Sequence, residues 1–348
     1  MVLMDRYDIY IGGSFQKTDK PLKVVNPYNN DVIAQTYSGG DTELESAILK
    51  AQAAENVMEE LGAFQRFEIL RYIADTLRRE RSSLANMLAQ ESGKPLVYAL
   101  GEIDRSSQTF LIAAEESKRL PREYIGLDWT LGGKDKEGMV KYFPVGLIAG
   151  ISPFNFPMNL AAHKIAPAIA AGYPIILKPA SSTPLSTLEL ARIIDQTSLP
   201  KGALSIIPMQ RTTGMKLVTD ERFKLLTFTG SPEVGWKMKK EAGKKKVVLE
   251  LGGNAGVIVT GSADIESAVR RCIFGGFAYS GQICIHAQRI FVQNTIFEEF
   301  LEKFVVYTQT LKSGDPLNPE TQISVPQTAI PLTDDPCSLN TVIWPFFQ

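Results

Sequence analysis

From Val145 to Leu177 the sequence runs VGLIAGISPFNFPMNLAAHKIAPAIAAGYPIIL. Val145 to Ile151 is a continuous apolar run, Ala161 to Ala171 follows a helical pattern, and Pro174 to Leu177 is a second apolar run. Strands without polar alternation, separated by helices, predict an α/β domain built on a mostly parallel sheet buried on both faces. The alternation continues through Leu185 to Gln196 (helix) and Leu204 to Ile207, Leu225 to Phe228, Val247 to Leu251 and Val257 to Val259 (strands). Ile265 to Ala278, Arg289 to Gln293 and Ile296 to Lys312 then read as helix, strand and helix, the start of a second α/β unit.

Toward the N-terminus, Tyr7 to Gly12 and Leu22 to Val25 read as short strands, before a turn at Asn26 to Asn30. Asp41-Thr42 caps a helix through Leu44, Ile48 and Ala51. One long amphipathic helix is predicted over Phe64 to Gln90, ending at Gly93-Lys94-Pro95, and another over Val97 to Leu120. Gly126 to Lys141 is polar and glycine-bearing, a hairpin or bridging element.

The 348 residues carry 44% hydrophobic and 22% charged side chains and a net charge of −1. That balance belongs to a soluble chain of two or more globular units and gives no reason to expect nucleic acid or an anionic membrane as partner. The lysines between Lys237 and Lys246 close a helix, where cations complement its dipole. No secretory leader and no membrane span are expected. Three scattered cysteines form no disulfide framework or zinc site and fit a reducing cytoplasm, and two histidines leave little room for a Ser-His-Asp hydrolase.

Five segments carry candidate chemistry. Ser152-Pro153-Phe154-Asn155-Phe156-Pro157 follows an apolar strand; its prolines fix the loop, and Asn155 offers an amide donor to a developing oxyanion. Lys178 ends a strand where open α/β sheets bind ligands, although a solvated strand end reads the same way. No GxGxxG fingerprint is present; instead Phe228 to Gly235 places Gly230 at a turn, Ser231 as N-cap and Pro232 at the first helical position, either a phosphate site or an ordinary turn. Glu250 stands alone in the apolar strand Val247 to Leu251, ahead of Gly252-Gly253; burial would tune it as a general base, and a paired structural glutamate is the alternative. Gly281-Gln282-Ile283-Cys284 sets a cysteine on a loop that exposes it as a nucleophile, whereas Cys272 reads as a core residue.

In this order the five segments resemble the NAD(P)-dependent aldehyde dehydrogenase superfamily, and Glu91-Ser92-Gly93-Lys94-Pro95 and Gly314-Asp315-Pro316-Leu317 look like further segments of it. The resemblance covers residues 7–325. It implies a Rossmann-like open sheet plus an incomplete second α/β catalytic domain: a cofactor-binding domain over 1–122 and 146–252, a bridging or oligomerisation hairpin over 123–145, a partial catalytic domain over 253–325 and a divergent tail over 326–348. It implies a Cys284 thiolate that attacks a small aldehyde, an oxyanion held by Asn155 and the Cys284 amide, hydride transfer to NADP or NAD, and a Glu250 that activates water. Ser152, Pro153, Phe154, Lys178, Ser181, Gly230, Ser231, Gly235, Glu250, Leu251 and Gly252 would line the cofactor site, with Lys178 on the adenosine ribose. Ser181 stands where many NAD-preferring members have glutamate, which points toward NADP. Met209-Gln210-Arg211 replaces a usual glycine-rich stretch. After about residue 325 the sequence leaves the pattern and lacks the Glu-x-Phe-Gly-Pro motif and the C-terminal strand used in homo-oligomers. A truncated or aberrantly ended, inactive chain is therefore an expectation, with the apolar face of the last helix (Phe297, Phe300, Leu301, Phe304, Leu311) left uncovered and a poorly ordered tail. An inactive nucleotide-binding or interaction protein, or a coenzyme A-acylating dehydrogenase, are the alternatives.

Overall fold

The computed structural model describes residues 5–325 and the backbone of 342–346. Five short strands open the chain: β1 (Asp5–Arg6), β2 (Ile9–Ile11), β3 (Phe15–Gln16), β4 (Pro21–Val25) and β5 (Val32–Tyr37). Four helices follow, α1 (Asp41–Glu60), α2 (Ala63–Arg79), α3 (Arg81–Ser92) and α4 (Leu96–Ser117). The single long helix expected over Phe64 to Gln90 is thus two. Glu80 leaves the helical region (φ −95°, ψ 14°) and its side chain turns away to pair with Arg192. Gly93 ends α3 in the left-handed conformation, as expected for a C-terminal glycine (φ 67°).

β6 (Arg122–Gly126) and β7 (Glu137–Lys141) pair as an antiparallel hairpin. The central alternation then unrolls: β8 (Ile148–Ile151), α5 (Pro157–Ala171), β9 (Ile175–Lys178), α6 (Leu185–Asp195), β10 (Leu204–Ile206), α7 (Arg211–Thr219), β11 (Leu225–Gly230), α8 (Pro232–Glu241) and β12 (Lys246–Leu251). These strands form a seven-stranded sheet in the order β12-β11-β8-β9-β10-β2-β3, parallel from β12 to β10 and antiparallel beyond. Successive residues of a strand point to opposite faces. Ile175 and Leu177 therefore join one buried cluster with α2, α4 and α5, while Ile176 joins another with α1, α7 and α8. The continuous apolar runs exist because both faces of these strands are covered.

A smaller unit contains β13 (Gly256–Val259), α9 (Ile265–Phe277), β14 (Arg289–Gln293), α10 (Phe297–Gln309) and β15 (Val342–Phe346), its three strands all parallel. Two expectations are corrected here. The apolar face of α10 is covered: Phe300 and Phe304 are buried against Cys272, Ile273 and Phe277 of α9 and against Ile290 and Val292 of β14, and Phe297 and Leu311 pack beside them. Part of the expected disordered tail is strand, since the backbone of 342–346 pairs with β14 at the sheet edge. An edge position suits Pro345, which has no N–H to give a second neighbour. The rest of that tail lies outside the described residues.

The large helical layer is anchored by two buried carboxylates at helix N-termini. Glu91 accepts the N–H groups of Leu185 (2.7 Å) and Ser186 (3.0 Å) at the start of α6. Glu102 accepts those of Met158 (2.9 Å) and Asn159 (3.1 Å) at the start of α5. Each satisfies amides that the helix leaves unpaired, and Glu102, paired with Lys94, also places negative charge at the positive end of the α5 dipole.

Burial pushes the Glu91 carboxyl up to about 7 from 4.5, against the opposing pull of the Ser186 and Leu185 donors. A raised value means the folded state favours the protonated acid. Its contribution is then complete below the unfolded value of 4.5 and is lost as pH rises through about 7. The difference amounts to about 3 kcal/mol at ~1.4 kcal/mol per pH unit. Glu91→Gln keeps an acceptor and cannot ionise. Urea unfolding should show the variant gaining about 3 kcal/mol on the wild type between pH 4 and pH 8. A difference that stays flat with pH would mean that the folded carboxyl titrates where the unfolded one does, and that burial does not raise it.

Candidate active site

The candidate residues lie on loops at the carboxyl ends of the central strands and on the loop between α9 and β14. After β8, buried Ser152 donates its N–H to the Lys178 carbonyl (3.1 Å), which fixes the start of the loop to the end of β9. Pro157 occupies the first turn of α5, where its missing N–H costs nothing. Between them Asn155 is half-buried. Its Oδ1 accepts the Phe156 N–H (3.1 Å), and its Nδ2 donates to the Gln282 carbonyl (2.8 Å), two residues ahead of Cys284. An amide nitrogen carries two protons, so a second donor remains for a ligand.

Cys284 is exposed, on a loop that reaches it through a tight turn in which Tyr279 (φ 49°) and Ser280 (φ 53°) are both left-handed. The Ser280 hydroxyl donates to the Ser324 carbonyl, and the Cys284 carbonyl accepts the Gly253 N–H (3.2 Å). The Cys284 loop is thereby tied to Asn155 on one side and to the Gly252-Gly253 turn after Glu250 on the other. Cys272 differs as expected: it lies in the α9 core, and burial pushes its thiol up to about 11.

Glu250 departs from expectation. It is exposed, because β12 is the edge strand of the seven-stranded sheet and its residues alternate between exposed and half-buried. The burial invoked for a tuned base is absent. A residue the sequence reading passed over lies nearby. Lys164, nearly fully buried on α5, donates to the hydroxyls of Thr229 (2.8 Å) and Thr227 (3.2 Å) on β11. Burial pulls its ammonium down to about 8, partly offset by the Glu250 carboxylate. Its signal was a lone lysine inside the apolar run Ala161 to Ala171.

The proposed cofactor residues divide into two groups. Lys178 and Ser181 line a cleft of about 390 Å³ together with Gln210, Arg211, Gly214 and Val234, at the ends of β8 and β9 and the starts of α7 and α8. Lys178 is largely buried, which pulls its ammonium below the usual value. A Cβ on Gly214 would come within 3.0 Å of its chain, so glycine there makes room for it. Ser231 is the N-cap of α8 and exposed, but its side chain makes no cap bond. Gly235 lets α8 approach β12, since a Cβ would come within 2.4 Å of Leu251. Gly230, Ser231, Leu251 and Gly252 cluster at the ends of β11 and β12, where the Gly252 N–H reaches the Gly230 carbonyl (3.3 Å). Pro153 and Phe154 lie on the Asn155 loop, the Phe154 carbonyl accepting from Thr183 (3.4 Å). The Ser152 hydroxyl is buried with no protein hydrogen-bond partner.

Among the described residues no helix is long and apolar enough to cross a membrane, and no cluster of acidic, histidine and cysteine side chains is placed to hold a metal ion.

The profile of the aldehyde dehydrogenase family matches residues 15–328. A lactaldehyde dehydrogenase of Methanococcus aeolicus is 39% identical over 312 residues, covering 88% of this chain and 65% of the relative. The chain thus spans just under two thirds of the length of that curated relative. Aldehyde dehydrogenase 21 of Physcomitrella patens, solved with the reaction product succinate, superposes with a TM-score of 0.90 at 44% identity, over 92% of this chain and 68% of that one. An NADP-dependent enzyme of E. coli does so with a TM-score of 0.87 at 33% identity, over 92% and 66%. On this match, and with the same α/β fold, the chain belongs to the aldehyde dehydrogenase family.

Proposed function

We propose that the protein oxidises a small aldehyde to the carboxylic acid with NADP or NAD. The observation that carries this reading is the Asn155 amide bonded to the nucleophile loop two residues ahead of exposed Cys284. The Cys284 thiolate attacks the aldehyde carbon, and the negative charge that develops on oxygen meets the second Asn155 proton and the Cys284 amide. A nicotinamide dinucleotide, when bound, supplies the hydride acceptor. Glu250, exposed and beside the Cys284 loop through Gly253, activates the water that releases the acid from Cys284. A base of this kind favours hydrolysis over acyl transfer to coenzyme A. Lys164 has Glu250 as its charged neighbour and is suited to hold or pass a proton there. The relatives' names, lactaldehyde dehydrogenase and an enzyme holding succinate, favour a short polar aldehyde.

The residues fit the dinucleotide. The cleft at Lys178, Ser181 and Arg211 accepts the adenosine ribose, and the amides at the start of α8 face the pyrophosphate. A 2′-phosphate finds two cations and a hydroxyl there and no carboxylate, so NADP is preferred. On this reading residues 1–122 and 146–252 serve the cofactor, 253–325 carry the nucleophile, and the hairpin over 123–145 bridges to a second copy. Exposed Tyr124, Trp129 and Leu131 on and beside that hairpin support the last point. Cys284 as an accessible free thiol supports a reducing, cytoplasmic setting.

Cys284→Ala should abolish aldehyde-dependent NADPH formation while leaving NADP affinity within about twofold, a change of about 0.4 kcal/mol. Unchanged turnover in this variant would sink the covalent mechanism. Glu250→Gln should convert steady turnover into a burst of NADPH followed by slow release, read by stopped-flow absorbance; loss of the burst itself would move Glu250 to an earlier step.

Cofactor choice gives a separate test. Arg211→Ala should raise the NADP dissociation constant about tenfold, or ~1.4 kcal/mol, and leave that for NAD almost unchanged. Ser181→Glu should reverse the preference. Calorimetric titrations in which both variants treat NADP and NAD as the wild type does would remove these residues from the 2′-phosphate site.

A further inference from the structure

Lys94 has no part in the reading above, yet its side chain is fully buried, and its ammonium pairs with the equally buried Glu102 carboxylate. The ammonium also faces two aromatic rings, 3.7 Å from the centroid of Phe156 and 4.4 Å from that of Tyr279. The rings stand edge to face, 5.8 Å apart at 79°. Phe156 follows Asn155 directly and gives its N–H to the Asn155 side chain. Tyr279 is the first left-handed residue of the turn that leads to Cys284, and its hydroxyl reaches the Ser92 carbonyl (3.5 Å). Each of the two loops that supply the chemistry thus sends one ring to the same cation, and the cation's counter-charge holds the first amides of α5.

We infer that Lys94 is a positioning residue: clamped between Phe156 and Tyr279, it sets the separation of the Asn155 amide from Cys284. The inference rests on the roles proposed for those two residues. A desolvated cation on an aromatic face is a strong contact, and the ion pair with Glu102 keeps Lys94 from leaving it. A misplaced oxyanion donor slows carbonyl chemistry while leaving the thiol itself reactive.

The test separates those two reactivities. p-Nitrophenyl acetate acylates a thiolate through a tetrahedral oxyanion: the S–C bond forms, p-nitrophenolate leaves, and water later releases acetate. Iodoacetamide alkylates the same sulfur by displacing iodide and needs no oxyanion support. Lys94→Met combined with Glu102→Gln removes both charges and keeps an acceptor for the Met158 and Asn159 amides. Phe156→Leu leaves the ion pair in place and removes one ring face, so it probes the clamp whether or not the double variant folds. In variants with a cooperative thermal melt, acylation of Cys284 should fall at least tenfold for the double variant and about threefold for Phe156→Leu. Alkylation of Cys284, followed by peptide mass spectrometry, should stay within twofold in both. With aldehyde and NADP the loss should appear in kcat, with KM nearly constant. Folded variants that acylate at the wild-type rate, or lose acylation and alkylation in equal measure, would overturn the positioning role. A wild type with no Cys284-dependent acylation would overturn the catalytic reading itself, and the inference with it.

Discussion

A lysine ammonium and a glutamate carboxylate, both fully out of water, meet under the loops of Asn155 and Cys284, and much of the surrounding structure is arranged around their need for partners. Removing one member of such a buried pair costs about 3–5 kcal/mol, because the other charge is stranded. Here the compensation is shared among several elements. Glu102, on α4, holds Lys94 with one oxygen and two amides of α5 with the other. Lys94, just before α4, holds rings from the loops on either side of the site. The pair therefore ties the helical layer to the carboxyl edge of the sheet. Glu91, three residues before Lys94, repeats the device on α6.

The same arrangement explains why a rigid site forms from loops. Asn155 and Cys284 belong to segments 129 residues apart, joined by one side-chain hydrogen bond and by the shared cation beneath. Four further contacts steady these segments: Ser152 to Lys178, Ser280 to Ser324, Gly253 to Cys284 and Tyr279 to Ser92. The cleft at Lys178 and Ser181 lies along the same edge, where Gly214 leaves room for the Lys178 chain.

The core of the central sheet was legible because β8, and β9 up to its last residue Lys178, carry no polar alternation, a pattern that belongs to a doubly covered strand. Asn155 and Lys178 were legible at strand ends and Cys284 on a glycine-bearing loop ahead of a strand, while Ser181 was singled out by resemblance alone; Asn155, Lys178 and Ser181 lie at the carboxyl edge of the sheet, and Cys284 lies on the loop bonded to Asn155. Other features were not. Val247 to Leu251 is as apolar as its neighbours, so nothing in it shows that β12 lies at the sheet edge and leaves Glu250 exposed; strand order is a tertiary property. The break at Glu80 has neither glycine nor proline to signal it, only an ion pair with Arg192 more than a hundred residues away. Lys94 was read only within the helix stop Gly93-Lys94-Pro95 and Glu102 was given no role, because burial of an ion pair depends on what folds over it. The cover of α10 was missed for a related reason: α9 and β14 were each recognised, but not that they enclose the same phenylalanines.

The left-handed turn at Tyr279 and Ser280 has a consequence for how the protein fails on heating. Each such residue carries about 1–3 kcal/mol of backbone strain, sustained only while its surroundings hold it. Tyr279 is held by packing and by Lys94, Ser280 by two hydrogen bonds of its hydroxyl with the Ser324 backbone. As those contacts loosen, the turn relaxes and the Cys284 loop drifts out of register while the seven-stranded sheet still stands. On the role proposed for Cys284, thermal inactivation should then precede thermal unfolding, through a state that keeps its circular dichroism.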